Sequence, residues 1–210
     1  MVDIAVDLVE SYLRLNGYLT LSEMDVVERR ADGSYRSATD VDVVAVRFPG
    51  DVYAAYTPDP VQSRLLLIED EALDLPSGMI DVVIGEVKQG EARFNPGLKR
   101  RQVLETILRR LDWIYQGGIE GIVDDLQRSG LSEARARSGA DIRTRLVAFG
   151  AHPGEPSLHL IPIGHVIRYM VRFMKEFDEV LNPARFSHPA AAMIRLLVKC
   201  GFEVTPHDPH

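Results

Sequence analysis

The sequence predicts a layered α+β domain built on a mixed central sheet, and three observations carry that prediction. The first is the order of patterns: a helix, several strands, a helical stretch, two more strands and closing helices. The second is the run Met79 to Val87, almost wholly apolar and of strand length, as expected for a strand buried on both faces. The third is the opening stretch, where Ile4, Leu8, Tyr12 and Leu15 recur at helical spacing, widened by Ala5, Val9 and Leu13. With 210 residues, 46% hydrophobic and 26% charged, the chain is long enough to bury a sizeable core.

Taken in order, the first helix should be capped by Asp3 and stopped by Asn16-Gly17, with Glu10 on the flank of its apolar stripe. A short extended segment, Tyr18 to Leu21, follows. Met24 to Arg30 and Tyr35 to Phe48 read as strands joined by the turn Ala31-Asp32-Gly33-Ser34. Val52 to Tyr56 and Val61 to Glu69 are strand or helix, with Pro58, Pro60 and Pro76 limiting longer elements. After the strand Met79 to Val87, Asn95-Pro96 predicts a helix running to about Gln116, stopped by Gly117-Gly118. A helix over Ile119 to Gln127 and a Ser/Arg/Ala-rich connector, Ser129 to Asp141, helical or mobile, come next. Strands at Thr144 to Phe149 and Leu158 to Ile163 flank the turn His152-Pro153-Gly154. Two helices, His165 to about Leu181 and Pro189 to Cys200, finish the chain. The last of them is a dimer face or core, through Met193 and Leu197.

Composition narrows the function classes. A single cysteine, Cys200, excludes an internal disulfide framework and thiolate metal clusters, and fits a reducing cytoplasm. No apolar run reaches the roughly 18 residues that span a bilayer, and Asp3, Asp7 and Glu10 speak against a signal peptide. The net charge of −7 argues against a sequence-blind nucleic-acid coat. Its distribution is uneven: residues 1–92 hold 7 Lys/Arg against 18 Asp/Glu, whereas residues 93–145 hold 11 against 7. The six histidines show no ligand spacing.

Chemistry concentrates at two strand ends. Glu86 and Lys88 close the apolar run and share a face with Ile80, Val82 and Ile84 by strand alternation, while Asp81 lies on the other face and reads as structural. An acid and a base at the rim of a core are costly unless something pairs with them. Asp40 and Asp42 open the apolar strand Asp40 to Val46 on one face, and Asp42, deeper in the run, is the stronger candidate. If that strand pairs antiparallel with Met79 to Lys88, Asp42 meets Glu86 and Lys88. Two carboxylates there suit a hard cation such as Mg²⁺, with Mn²⁺ as a substitute. The plain alternative is a surface ion pair. Lys99, Arg100 and Arg101, at a helix start, are the best phosphate-contact candidates, with Arg135, Arg137, Arg143 and Arg145 as an extension.

Val41-Asp42-Val43-Val44 followed by Ile84-Gly85-Glu86-Val87-Lys88 resembles the motif of the PD-(D/E)XK nuclease superfamily, the restriction-endonuclease-like fold. Val9-Glu10-Ser11-Tyr12-Leu13 is similar to the first-helix glutamate of Holliday-junction resolvases within it. The resemblance implies an αβββαβ core with a mixed sheet over residues 1–165 and a helical extension over 166–210. It implies a catalytic set of Asp42, Glu86 and Lys88, and metal held by Asp42, Glu86, Val87 (through its main chain) and Glu10. The expected activity is Mg²⁺-dependent cleavage of nucleic acid, DNA ahead of RNA, by a cytoplasmic protein with a homodimer as a candidate assembly and without membrane partners. The alternatives are a nucleic-acid-binding or regulatory protein that keeps the fold without turnover, and an unrelated α+β interaction protein.

Overall fold

In the computed structural model, which describes residues 3–52, 69–75, 77–152, 159–182 and 186–204, a mixed sheet lies between two helical layers. The helices among these residues are α1 (Ile4–Leu15), α2 (Arg101–Arg109), α3 (Glu120–Ser129), α4 (Ile163–Glu176), α5 (Asp178–Leu181) and α6 (Pro189–Lys199). The strands are β1 (Leu19–Arg29), β2 (Tyr35–Arg47), β3 (Ile80–Glu91), β4 (Leu131–Arg135), β5 (Asp141–His152) and β6 (His159–Pro162). The predicted α+β class holds. The segments Val52 to Tyr56 and Val61 to Glu69 fall almost wholly outside the described residues, as does Pro153-Gly154 of the predicted turn.

The strands lie in the order β1-β2-β3-β5-β4. β1, β2 and β3 form an antiparallel meander, and β5 lies parallel to β3 after a crossover through α2 and α3. The far edge of β5 is shared: β4 pairs antiparallel with Asp141 to Arg145, and β6 pairs parallel with Val147 to Gly150.

Each face of the sheet carries its own core. Val43, Ala45, Val83, Val87, Val147 and Phe149 pack under α1, α4 and α6. Val44, Ile80, Val82, Ile84, Ile142 and Leu146 pack under α2 and α3. β3 is therefore buried on both faces as far as Val87, which explains the near-continuous apolar run. α1 starts where predicted, with the Asp3 carboxylate accepting from the Ala5 N–H at 2.8 Å. Its Asp7 accepts from the Ala190 N–H at 2.6 Å, so a residue of the first helix caps the last one. The expected boundary at residue 165 lies inside α4, whose Tyr169, Met170 and Phe173 share the core with Tyr12 and Leu13.

Two predicted elements differ. The helix expected from Asn95-Pro96 begins only at Arg101. The Asn95 side chain accepts from the Gly97 N–H at 2.9 Å and donates to Thr39 Oγ1 at 3.0 Å, holding a turn at the predicted helix start. The Ser129–Asp141 connector, expected to be helical or mobile, instead contains β4, whose strand character comes from pairing with β5. The segment Tyr18 to Leu21 and the strand at Met24 are one strand, β1, interrupted at Glu23 by a backbone φ of 51°.

Candidate metal centre at the ends of β2 and β3

β2 and β3 pair from Arg47↔Asp81 to Val43↔Gly85, and the ladder stops there. At Gly85 a Cβ would lie 2.5 Å from Val43 Cγ1 and 3.2 Å from a Phe149 ring carbon, so only glycine lets the strands approach this closely. One residue further, Asp42 takes over from the ladder. Its Oδ2 accepts from the Val87 N–H at 2.7 Å, the main-chain donor that a continuing β2 would have paired. Glu23, whose left-handed backbone is strained for a non-glycine residue, stands opposite Asp42 where the β1–β2 ladder skips a pair.

Glu86 continues the face of β3 that carries Val82 and Ile84, both of which lie behind it in the α2-side core. It is 2% exposed. The Lys88 ammonium contacts Glu86 Oε1 and stands 3.9 Å from Asp42 Oδ2, so all three expected side chains converge. Glu86 Oε2 is buried and has no hydrogen-bond partner among the described residues. Leaving such an atom unpaired costs about 1–3 kcal/mol or more.

The electrostatics follow. Burial pushes the Glu86 carboxyl pKa above the ordinary range, against the pull of Lys88, and Asp42 and Asp40 add to the rise. Burial also raises Asp42, although the Val87 N–H and Lys88 oppose it, and Asp40 and Asp3 press the same way as burial. Burial disfavours the Lys88 ammonium, but Glu86, Asp42 and Asp40 outweigh it and hold its pKa above the usual value. Several carboxylates thus face one ammonium, an excess of negative charge in a half-desolvated place.

The donor set fits a hard divalent cation of the Mg²⁺ type, which accepts one or two carboxylates and keeps several waters. No cluster of three or more His, Cys, Asp or Glu side chains suited to a metal exists among the described residues. Asp42 and Glu86 are the two side chains that could donate to a cation here. Val87 is placed to add its carbonyl: in extended strand the N–H and C=O of a residue point to the same edge, and its N–H points at Asp42.

The other expected site residues lie elsewhere. Glu10 is buried, and its Oε1 accepts from Thr20 Oγ1 at 2.6 Å and from the Arg14 guanidinium at 2.7 Å. Burial opposes its ionisation, but hydrogen bonds from Thr20 and Ser22 and the Arg14 charge hold its pKa below the ordinary value. It is satisfied on the α1 side of β1. Lys99 lies over the Phe94 ring at 5.5 Å. Arg100 is the exposed residue before α2, and Arg101 is engaged by Glu105 at 2.8 Å and Asp124 at 2.5 Å. Arg143 and Arg145 do not extend a groove; both are buried against Asp81. His165 is held by Asp70 at 2.7 Å in the first turn of α4. Met193 is exposed on α6, whereas Ala190, Ala191 and Ile194 are core.

Sequence reading missed the contribution of Thr39 and Asn95, which tie the loop after β3 to β2 beside Asp40. The Asn-Pro-Gly triplet was a turn signal that could have pointed there. Comparisons of the chain with protein-family models, curated proteins and solved structures found no match.

Proposed function

We propose that this protein is a divalent-metal-dependent phosphodiesterase acting on nucleic acid, DNA first, with the site chemistry and αβββαβ core of the PD-(D/E)XK superfamily. One observation carries the reading: a buried carboxylate, Glu86, that keeps an unpaired oxygen while converging with Asp42 and Lys88. A purely structural carboxylate at such burial is expected to have both oxygens paired.

Asp42 and Glu86 would hold the cation, with the Val87 carbonyl as a further oxygen donor. Bound Mg²⁺ supplies polarisation of a phosphoryl oxygen and a bound water of lowered pKa. Lys88 is the one cationic side chain at the site among the described residues; it would orient the attacking water and donate to charge developing on the phosphoryl oxygens. Gly85 lets β2 and β3 approach closely where their ladder ends, beside the site.

The test is cleavage of single-stranded, branched and flap DNA, and of RNA, in Mg²⁺ or Mn²⁺ by the purified protein. Glu86→Ala should abolish cleavage, and Lys88→Ala should lower the rate on the order of 10²-fold or more while leaving metal binding in place. Cleavage retained by Glu86→Ala would assign the activity to another site. Metal binding without cleavage of any substrate would leave a nucleic-acid-binding protein with the same fold.

A further inference from the structure

The described residues cover the sheet face that carries Asp42 and Glu86 incompletely. α2 has only 9 residues, and an apolar groove of about 230 Å³ lies between its C-terminal end and the β1–β2 hairpin. Met24, Val44, Ile107 and Ile114 form its buried part, and Leu21, the cross-strand partner of Val44, is half-exposed. Phe48 and Trp113 line it while remaining 44% and 65% exposed. Arg110 is the one charged side chain in the lining, and no described carboxylate forms an ion pair with it.

The groove adjoins the carboxylate site. Val44 is two residues along β2 from Asp42, roughly 7 Å at about 3.3 Å per residue. We infer that the groove takes an unstacked base from a single-stranded segment of the nucleic acid whose phosphate lies at Asp42, Glu86 and Lys88. This rests on the phosphodiesterase reading and adds a substrate class to it. A base brings flat apolar faces and its backbone brings anionic phosphate; exposed aromatic rings and a lone cation answer both. A cavity of about 150 Å³ already admits benzene, so this one has room for a base. A second copy of the chain fits less well. Pairing along the β1 edge would set Glu23, Asp25 and Glu28 of one copy beside those of the other, and like charges across a strand pair repel.

Trp113 is the only tryptophan in the chain, so its fluorescence reports on this groove alone. The experiment titrates the full chain with oligothymidylate of about ten nucleotides in EDTA, where no cleavage can occur. Quenching of the Trp113 emission is expected. By anisotropy of a labelled oligonucleotide, Trp113→Ala should weaken binding about 5- to 150-fold, the range for loss of one stacked base. Arg110→Gln should weaken it less and reduce the salt slope of log K by about one. The exposure of Trp113 makes loss of folding in Trp113→Ala unexpected, and circular dichroism checks it. Absence of quenching, or unchanged affinity in Trp113→Ala, overturns the inference even where metal-dependent cleavage is found. Quenching with no cleavage in metal removes the hydrolase reading and leaves the groove assignment standing. A concentration-dependent dimer abolished by Trp113→Ala, with no oligonucleotide quenching, overturns it in favour of self-association.

Discussion

β3 carries two buried carboxylates, Asp81 at 1% exposure and Glu86 at 2%, and the protein treats them in opposite ways. Asp81 receives hydrogen bonds from Tyr18 at 2.5 Å, Arg143 at 2.7 Å and Arg145 at 2.8 Å, on the α1 side of the sheet. Glu86, five positions on and on the other face, has Lys88 at one oxygen and, among the described residues, no hydrogen-bond partner at the other. Equal burial therefore does not mean equal role. Asp81 has both oxygens paired, in a network that ties β3 to β5 and to the Leu73 and Asp74 carbonyls and leaves one buried donor, Arg145 Nε, without a partner among the described residues. Glu86 is left with unanswered charge at a place where the ladder ends and the strands part. An unpaired carboxylate oxygen is what the proposed ligand-binding role of Glu86 would leave in the free protein, and Asp81 has none.

The sharpest way to break that contrast is to remove the charge of Asp81. Asp81→Asn leaves two buried guanidinium groups, Arg143 and Arg145, short of their counter-charge. Removing one partner of such a buried network is expected to destabilise the fold by about 3–5 kcal/mol. Urea denaturation of the variant against wild type measures this. A loss below about 1 kcal/mol would mean that the Asp81 network adds little to stability, and the opposition drawn between the two carboxylates would fail.

Glu86 should respond instead to an added cation. If Asp42 and Glu86 form a Mg²⁺ site in the native state alone, saturating metal stabilises by mass action, about 2.7 kcal/mol at a hundredfold excess over Kd. Thermal melts with and without Mg²⁺ should show the gain in wild type and its loss in Asp42→Ala. Glu10→Gln should keep it, because Thr20 and Arg14 already occupy that carboxylate. An equal gain in wild type and Asp42→Ala would place the metal elsewhere.

Much of this contrast was legible in the sequence, for reasons that are local. Strand alternation alone puts Asp81 on one face of β3 and Glu86 with Lys88 on the other. Two apolar runs that begin and end in acids favour the antiparallel pairing that sets Asp42 beside Glu86, and β2 and β3 pair that way. What stayed hidden depends on long-range partners. Glu10 looks like a ligand until Thr20 and Arg14 are seen to hold it. Arg143 and Arg145 look like a basic groove until Asp81 is found between them. β4 has a polar sequence and becomes a strand only against β5, while the Asn95 turn requires Thr39 from β2. The apolar groove beside Trp113 exists because α2 ends early, which helical periodicity through Leu111 and Ile114 did not reveal.

The smallest expected effect is also the most discriminating: Glu86→Gln should stabilise the metal-free protein at neutral pH. Burial raises the Glu86 carboxyl pKa above its ordinary value, so the native state holds that proton more tightly than the unfolded chain does. Its contribution is therefore favourable below the unfolded pKa of about 4.3 and is lost as pH rises through the raised native value. The ionised form carries a burial penalty that the neutral amide does not. Lys88 loses a partner in the variant, but its side chain is 38% exposed and its ammonium returns to water. The net gain should be on the order of 1 kcal/mol at pH 7 and should fade as the pH is lowered toward 4, where wild-type Glu86 is itself neutral. Paired denaturation curves across that range measure both its size and its sign. If Glu86→Gln instead costs more than about 1 kcal/mol at pH 7, Glu86 and Lys88 are a stabilising ion pair like those around Asp81. The unpaired oxygen would then no longer argue for a metal.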